Sequence, residues 1–390
     1  MSLTVLKYLD ECSFCKEHRD SVDKIKEYFA QRLYYELSEF VMQFLLDVES
    51  EMHNYRQFYD IFVLDFSKRI NPVSLARIAI MIAVQIKKNN VDEAIEFMTM
   101  NLGRAPLADD KFSSNLCRVY LAKLRLYKGQ IVPAHDTLMN MRQEIDSFNN
   151  LTLLHLFFYD AILYYHYLKN DYYAYNSDVL KYFGATAKIE VKIDDDGVNK
   201  PLFCVISTLM SPYATNVEEV LYQSQVRALI SEQQYCWFDQ LLKAVLHGDV
   251  SGLAEIMPHI ESHEILSKSV TLVREKTVLM NILNVAFNCI VSGTKMTFSL
   301  ISESSGIPID SVENFLIRAF SLNIIEGSID QVNQVVNLTW VKPKFITESR
   351  LPCLQDQIAT WDRKIIGLVD HIKPLSVNLN STRQASKQCA

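Results

Sequence analysis

A helical period of apolar residues runs from residue 312 to residue 322. The spacing of three and four residues puts these side chains on one face of a helix. Pro308 stands just before this stretch and suits the first turn of a helix, where its missing N–H would have no partner. The apolar face consists of Val312, Phe315, Leu316, Ala319, Phe320 and Leu322.

The period then changes to two. Val336, Leu338 and Trp340 alternate with the polar residues Asn337 and Thr339, as in a strand with one buried face. A partner strand is expected at residues 324–329, and residues 330–334 would carry the chain reversal. Because a short strand and a small helix are expected before the longer helix, the segment predicts a winged helix. Winged helices bind either nucleic acid or protein.

The charge of this segment favours protein. Proteins that bind DNA draw most of their affinity from Lys and Arg placed against phosphates. Residues 296–346 carry three basic and five acidic side chains, a net charge of −2, and the whole chain has a net charge of −7. The winged helix is therefore predicted to bind another protein.

Helical hairpins repeat through the middle of the chain. At five places an apolar helix ends before a polar turn and a second helix follows, and these places are 40, 42, 41 and 37 residues apart. A period of about 40 residues is typical of an α-solenoid, in which each hairpin covers the open face of the next. The residues that mark the five helix ends are Ile86, Leu126, Leu168, Leu209 and Leu246.

Small residues are expected where the two helices of a hairpin approach closely. Ala94, Ala134 and Ala254 occupy the eighth position after the marker in three hairpins, whereas Asn176 and Val217 stand there in the other two. Helices are also predicted at residues 25–39, 40–49, 55–70 and 271–291, and a polar surface loop at residues 188–200.

The end of the chain carries a narrow apolar seam. Its members are spaced by four, three, four, three and four residues, the pattern of a helix that packs in a coiled coil or bundle. Pro374 is expected to end this helix, and residues 375–390 are expected to be disordered. The seam consists of Leu354, Ile358, Trp361, Ile365, Leu368 and Ile372.

Composition supports a helical fold. The chain has 390 residues but only 10 glycines and 10 prolines, so tight turns are few and a barrel or sandwich is not expected. The predicted fold class is mainly α: a right-handed, TPR-like α-solenoid, a winged helix with a small antiparallel sheet, and a C-terminal bundle helix.

No signal peptide or membrane span is expected, because the N-terminus lacks a basic start with an apolar run and the longest apolar stretches are short. The eight scattered cysteines are expected to be reduced, as in the cytoplasm or nucleus. No catalytic residue, cofactor or metal is predicted. Three groups have weak metal-site spacing and are not interpreted as metal sites. Cys12, Cys15 and His18 would be near neighbours on a helix by chance. His259 and His263, just after Pro258 near a helix start, are interpreted as ordinary exposed polar residues, and residues 194–197 as a solvated acidic loop.

A solenoid followed by a non-basic winged helix and a final bundle helix resembles the PCI proteins. The resemblance rests on residues 327–333, 335–343, 319–322 and 235–248, which include Trp237 and the His247-Gly248-Asp249 turn, and it is closest to PCI subunits of the 26S proteasome lid. It implies helical repeats at 1–169, a PCI domain at 170–345 (helical part 170–292, winged helix 293–345), and a C-terminal helix with a disordered tail at 346–390.

The resemblance implies a non-catalytic scaffold that assembles with other PCI subunits through its wing and its last helix. It suggests the MPN deubiquitinase pair and a ubiquitin receptor as further partners, and a place in the cytoplasm and nucleus. A PCI adaptor of another complex, such as the signalosome, a translation initiation complex or an RNA-binding export complex, remains the alternative. Besides the seam residues, the expected protein-binding residues of the wing are Ile324, Gly327, Ile329, Asp330, Gln331, Val336 and Trp340.

Overall fold

The computed structural model describes residues 19–47, 55–148, 150–189, 196–211, 216–263, 265–292, 295–343 and 351–388. Helices dominate these residues, and one small antiparallel sheet lies near the C-terminal end. The predicted fold class is therefore confirmed. No helix among the described residues combines the length and the apolar character needed to cross a bilayer.

The chain begins with two helices, α1 (Arg19–Ala30) and α2 (Tyr34–Asp47). The predicted boundary between residues 39 and 40 is wrong, because the turn comes earlier, where Arg32 adopts a left-handed backbone with φ of 59°. An irregular helical stretch follows, with α-helical turns at Tyr55–Phe58 and Leu64–Phe66 and a π-helical turn at Tyr59–Val63 between them. Its buried rings, Phe62 and Phe66, pack against Phe29 of α1.

Three regular hairpins come next, and their bounds confirm the markers Ile86, Leu126 and Leu168. Asn90 and Asp171 begin the second helix of their hairpins by accepting hydrogen bonds from backbone N–H groups two and three residues on. The hairpins consist of α3 (Pro72–Asn89) with α4 (Val91–Leu102), α5 (Lys111–Tyr127) with α6 (Ile131–Ile145), and α7 (Leu153–Lys169) with α8 (Tyr172–Thr186).

The small residues meet the prediction only in part. Ala94 and Ala134 are fully buried, as close helix packing requires, but Ala254 is exposed and the interpretation of that residue is wrong. Its neighbour Leu253 is buried instead, so the close-packing position of this helix falls one residue earlier than the spacing predicts. Asn176 is buried and donates a hydrogen bond to the Thr208 hydroxyl over 2.6 Å.

The regular hairpins give way to shorter helices after α8. These are α9 (Lys200–Met210), α10 (Val217–Tyr222), α11 (Ser224–Ile230), α12 (Trp237–His247) and α13 (Val250–Ser262). Gly248 joins the last two with φ of 71°, and a Cβ there would lie 2.5 Å from the Asn281 Cα. Only glycine fits this turn, since it supplies both the left-handed backbone and the close approach.

The winged helix follows a long, largely buried helix, α14 (Val270–Ser292), and matches the predicted order of elements. It consists of β1 (Met296–Thr297), α15 (Phe298–Ser305), α16 (Ile309–Ser321), β2 (Ile325–Asp330) and β3 (Val335–Val341). The strands are ordered β1-β3-β2, and both pairs are antiparallel. The observed strands begin and end within one residue of the predicted ones.

The last helix, α17, runs from Leu351 to Gln388. The predicted end at Pro374 and the predicted disorder after it are therefore wrong up to residue 388. A proline removes one N–H donor from a helix and disturbs the turn before it, but here the backbone stays helical on both sides. Residues 389–390 lie outside the described part.

Candidate assembly surfaces

Strand β2 is an edge of the sheet. Its inner side pairs with β3 from Ile325, opposite Val341, to Asp330, opposite Val335. No other described strand pairs with its outer side. An exposed edge strand offers unpaired backbone donors and acceptors, to which a strand of another chain can add.

A β-bulge interrupts this pairing and changes which side chains face outward. Glu326 lies opposite Trp340, but Gly327 lies opposite Leu338, so Thr339 is an extra residue in β3. Trp340 therefore leaves the face it would share with Val336 and Leu338, and it is 41% exposed.

Gly327 has a structural role in the bulge. A Cβ on this residue would lie 2.2 Å from the Asn337 carbonyl oxygen and 3.1 Å from the Leu338 Cα. Such contacts are too close for any side chain, so the strands could not pair with this register if residue 327 were larger. This requirement is enough to explain the glycine, whether or not a partner binds here.

Two of the expected wing residues belong to the core. Ile324 is 1% exposed and Val336 is 2% exposed. Their side chains pack inside the winged helix and do not reach its surface, so the prediction that they bind a partner is wrong. Ile329 and Asp330 are half-buried, whereas Gly327, Gln331 and Trp340 are exposed.

All side chains of the expected seam on α17 are exposed to solvent. Every side chain described between residues 351 and 373 is exposed. Water-exposed isoleucine, leucine and tryptophan are normal as single residues, but a continuous apolar face on a soluble chain marks a contact with another molecule. The seam residues and their exposures are Leu354 39%, Ile358 57%, Trp361 68%, Ile365 41%, Leu368 60% and Ile372 59%.

The apolar face is wider than the seam. Ile366 and Val369 are also exposed, at 52% and 42%, and lie beside the seam on the same flank. A two-stranded coiled coil covers only a narrow stripe of each helix. The broader face of α17 is better covered by two or more neighbouring helices than by one.

Charged residues are buried inside the repeats, which the sequence did not reveal. Lys123 of α5 lies 2.5 Å from the Asp160 carboxylate of α7 and 3.4 Å from that of Asp196. Lys200 lies 2.8 Å from Asp160 and 3.1 Å from Asp196. The four side chains alternate in sign and balance in charge, and the Lys123, Asp160 and Asp196 side chains are each 1% exposed.

The pKa shifts in this ionic cluster agree with the geometry. Burial alone would raise the pKa of Asp196, but Lys123 and Lys200 outweigh burial and hold that pKa below its usual range. Burial likewise would lower the pKa of Lys200, yet Asp160, Tyr182 and Asp196 raise it. The prediction of a solvated loop is therefore wrong for Asp196, which ties the segment before α9 to the interior of the repeats. Asp194 and Asp195 lie outside the described residues.

A second buried lysine joins α9 to the helix that supports the winged helix. Lys276 of α14 is 3% exposed and donates hydrogen bonds to the backbone oxygens of Thr208 and Ser211, the latter over 2.7 Å. These oxygens lie at the C-terminal end of α9, where carbonyl groups lack helical partners and a positive charge is favourable. Burial, and next the charge of Lys342, lowers the pKa of Lys276 to about 7.

Asn281 makes a further connection at this junction. Its Nδ2 donates to the Gly248 oxygen and to the Ser304 oxygen, both over 3.1 Å. The same amide accepts a hydrogen bond from the Ser304 hydroxyl through Oδ1. The turn between α12 and α13 is thereby fastened to α15 of the winged helix.

The candidate metal residues have other surroundings or are not described. His259 stacks on Trp237 with 5.9 Å between ring centroids, and Pro258 lies inside α13, so the expected helix start there is wrong. Cys12, Cys15 and His18 lie outside the described residues. Within the described part, no three His, Cys, Asp or Glu side chains are grouped to hold a metal ion.

Two protein families match this chain. The family of PCI domains matches residues 253–340, and the family described as PSD13 N-terminal repeats matches residues 21–242. The chain is thus a protein of helical repeats followed by a PCI domain. Because the second match covers more than half of the chain, the chain belongs to the PSD13 family, and the predicted resemblance is confirmed.

Its relatives include subunits of the proteasome. The 26S proteasome non-ATPase regulatory subunit 13 of Dictyostelium discoideum is 23% identical over 369 residues, covering 92% of this chain and 94% of the relative. The 26S proteasome regulatory subunit RPN9 of Saccharomyces cerevisiae is 25% identical over 357 residues, with coverage of 88% and 89%. Eukaryotic translation initiation factor 3 subunit M of Nematostella vectensis is 24% identical over 182 residues, 45% of each chain.

Proposed function

We propose that this chain is a non-catalytic scaffold subunit in the lid of the 26S proteasome regulatory particle, where it supports ubiquitin-dependent protein degradation. The observation that carries the proposal is the exposed apolar face of α17 on a member of the PSD13 family. A helix that exposes this much apolar surface is incomplete alone.

The last helix supplies the main attachment. Fully burying a leucine, isoleucine or comparable side chain stabilises an interface by about 1.5–3 kcal/mol before the costs of association are subtracted. Six seam residues, together with Ile366 and Val369, therefore provide enough apolar surface to hold the subunit in a bundle formed by the last helices of other PCI subunits.

The wing supplies the second attachment. A neighbouring chain can add a strand to the outer side of β2 through backbone hydrogen bonds. Gln331, directly after β2, and Trp340, on the neighbouring strand β3, are exposed near this strand. The division of the chain into 1–169, 170–345 and 346–390 is part of this proposal, in which the repeats form an arm that extends from the assembly.

The proposed partners are other PCI subunits of the lid, the MPN deubiquitinase pair and a ubiquitin receptor, in the cytoplasm and nucleus. No cofactor is needed. The alternative of a PCI subunit in a translation initiation complex has one specific observation in its favour, the similarity to subunit M over 45% of the chain. A nucleic-acid adaptor is disfavoured by the net charge of −2 over residues 296–346 and would require salt-dependent binding to an RNA or DNA probe.

Removal of residues 349–390 tests the proposal. The truncated chain should fold, because no described side chain of α17 up to residue 373 is buried, but it should be missing from regulatory particles separated on a native gel. Normal incorporation of the truncated chain would contradict the role of the helix.

Two triple variants of the full-length chain test whether incorporation depends on the apolar side chains of α17 or only on the presence of the helix. Leu354→Ser, Trp361→Ser and Leu368→Ser alter the seam at seven-residue spacing. The control variant, Asp356→Ser, Arg363→Ser and Asp370→Ser, introduces three serines at the same spacing on the opposite face of the helix. Incorporation should fall for the first variant only. Equal behaviour of the two variants would refute the seam as the contact.

A further inference from the structure

The last helix is longer than the seam that was expected from the sequence. Because α17 continues as a helix to Gln388, the four-three spacing does not have to stop at Ile372. Leu375 and Leu379 fall at the next two positions of that spacing. The apolar repeat then extends from residue 354 to residue 379, almost four heptads. A repeat of this length is typical of a coiled coil.

The residue types in the repeat favour a pair of parallel helices. In heptad notation, the repeat occupies the a and d positions of α17. Isoleucine at a combined with leucine at d favours two parallel strands over three or four. The a positions hold Ile358, Ile365, Ile372 and Leu379, and the d positions hold Leu354, Trp361, Leu368 and Leu375.

The charges beside the seam also agree with a parallel pair. In such a pair, the g residue of one helix faces the e residue five positions further along its partner. Lys364 then faces Val369. Gln357 faces Asp362 in the same way, so no like charges meet. In an antiparallel pair of the seam from 354 to 372, Asp362 would face Asp362 of the second copy and Lys364 would face Lys364, and both contacts are unfavourable.

The seam is accessible to a second copy of this chain. Every side chain described between residues 351 and 373 is exposed, so none of them is covered by the described part of the chain itself. One partner helix would cover the a and d positions but would leave Ile366, on the outer flank, in water. A pair of helices is therefore a weaker arrangement for α17 than a bundle of several helices.

We propose that the unassembled chain forms a homodimer through a parallel, two-stranded coiled coil of α17, in which residues 354–379 of the two copies pair in register. Because one partner helix leaves the flank exposed, we expect a dissociation constant on the order of 10 μM. The chain is then a monomer at submicromolar concentration, with α17 in water.

The homodimer would compete with assembly for the same side chains. One seam cannot pair with a second copy and pack among the last helices of other subunits at the same time. On the proposed function, the homodimer covers the seam before assembly and dissociates when the bundle forms. The dimer itself does not depend on the proposed function, because it concerns only the purified chain.

Sedimentation velocity of the purified full-length chain tests the homodimer, at concentrations from about 0.5 to about 100 μM, because self-association depends on concentration. The expected result is a monomer at the lowest concentration and a species of twice its mass at the highest. The variant with three serines in the seam, described above, should stay monomeric throughout. Its control with three serines on the opposite face should dimerise like the natural chain, because those residues occupy f positions, away from the seam.

Two substitutions at one e position test the orientation of the helices. In the parallel pair, Val369→Glu places a carboxylate opposite Lys364 of the second copy, whereas Val369→Lys places a second amine there. The dissociation constant of the dimer should be about tenfold lower for the Glu variant than for the Lys variant, because two such contacts form in each dimer. Val369 is 42% exposed, so both variants should fold.

Four results would overturn the inference. These are a monomer at every concentration, a trimer or larger species, a dimer that persists with three serines in the seam, and an affinity for Val369→Glu that equals or falls below that of Val369→Lys. All four leave the proposed function intact, because incorporation into regulatory particles is measured separately on the native gel. Normal incorporation of the chain without residues 349–390 would contradict the proposed function and leave the homodimer untouched.

Discussion

The repeats and the last helix depart from ordinary burial in opposite directions. In the repeats, Lys123, Asp160 and Asp196 are charged groups with almost no exposure, whereas in α17 a tryptophan and several leucines and isoleucines lie in water. The two regions differ in whether the groups that these side chains need to contact lie within the same chain. The buried charges find theirs within the chain, so the repeats are complete, but the apolar face of α17 finds none among the described residues. On the proposed function, stability of the fold and attachment to an assembly therefore depend on different parts of one molecule.

The largest effect on stability is expected from Asp160→Asn. The change leaves Lys123 and Lys200 with one carboxylate between them, and breaking a buried ionic group in this way costs about 3–5 kcal/mol. Urea unfolding of the isolated chain measures the loss. The control is Asp23→Asn, which removes an exposed ion pair in which the Asp23 carboxylate lies 3.9 Å from the Lys26 amine. This change should lower the free energy of unfolding by less than about 0.5 kcal/mol. Equal losses for the two variants would show that the ionic cluster has no special role.

The next largest loss of stability is expected from Gly327→Ala. The new Cβ would meet the Asn337 carbonyl oxygen, so β2 and β3 must shift apart, at a cost of about 1–3 kcal/mol. Thermal unfolding followed by circular dichroism tests this cost. Gly184→Ala is the matched control: residue 184 lies in α8 with open space around it, so alanine there should stabilise the chain by about 0.5–1 kcal/mol. A shift of the same sign in both variants would contradict the assigned role of Gly327.

The buried lysine at the junction should give the chain a pH dependence. Because the pKa of Lys276 falls from 10.5 to about 7 on folding, the unfolded chain binds more protons at this site between those values. The penalty for burying the charged amine is therefore complete below pH 7 and shrinks as the pH rises, by up to about 1.4 kcal/mol per pH unit. Urea unfolding of the natural chain and of Lys276→Met at pH 6, 7, 8 and 9 should show the natural chain gaining relative to the variant only above pH 7. Parallel curves would show that Lys276 titrates normally.

The smallest effect on the isolated chain is expected from Trp361→Ser. The indole is 68% exposed, so its loss should change the free energy of unfolding by less than about 0.5 kcal/mol. Phe238→Ala, at a ring with no exposure, should cost about 3–5 kcal/mol in the same urea titration. A large loss for Trp361→Ser would mean that α17 is already packed within its own chain.

Elements with a local period could be predicted from the sequence. The alternation in β3 and the helical stripe of α16 located the winged helix, and the four-three spacing located the face of α17. The bulge could not be predicted from alternation, because one extra residue at Thr339 moves Trp340 to the surface without altering the local pattern. The prediction that α17 ends at Pro374 was wrong because one missing N–H donor does not stop a helix that is long on both sides.

The buried charges could not be predicted because their partners are distant in the sequence. A run of three aspartates is usually solvated, and nothing near Asp196 indicates that Lys123 and Lys200 will enclose it. Lys276 of α14 likewise finds its acceptors, the Thr208 and Ser211 oxygens at the end of α9, only when α14 packs against α9. Both missed groups are contacts between separate elements, whereas the assembly surfaces predicted from the sequence lie on single helices and strands.

Amide hydrogen exchange of peptides from residues 354–372 tests the central claim most directly. The claim predicts fast exchange in the isolated chain and strong protection in the assembled particle, while peptides from α7 (Leu153–Lys169) are protected equally in both. Strong protection of residues 354–372 in the isolated monomer, or none after assembly, would contradict it.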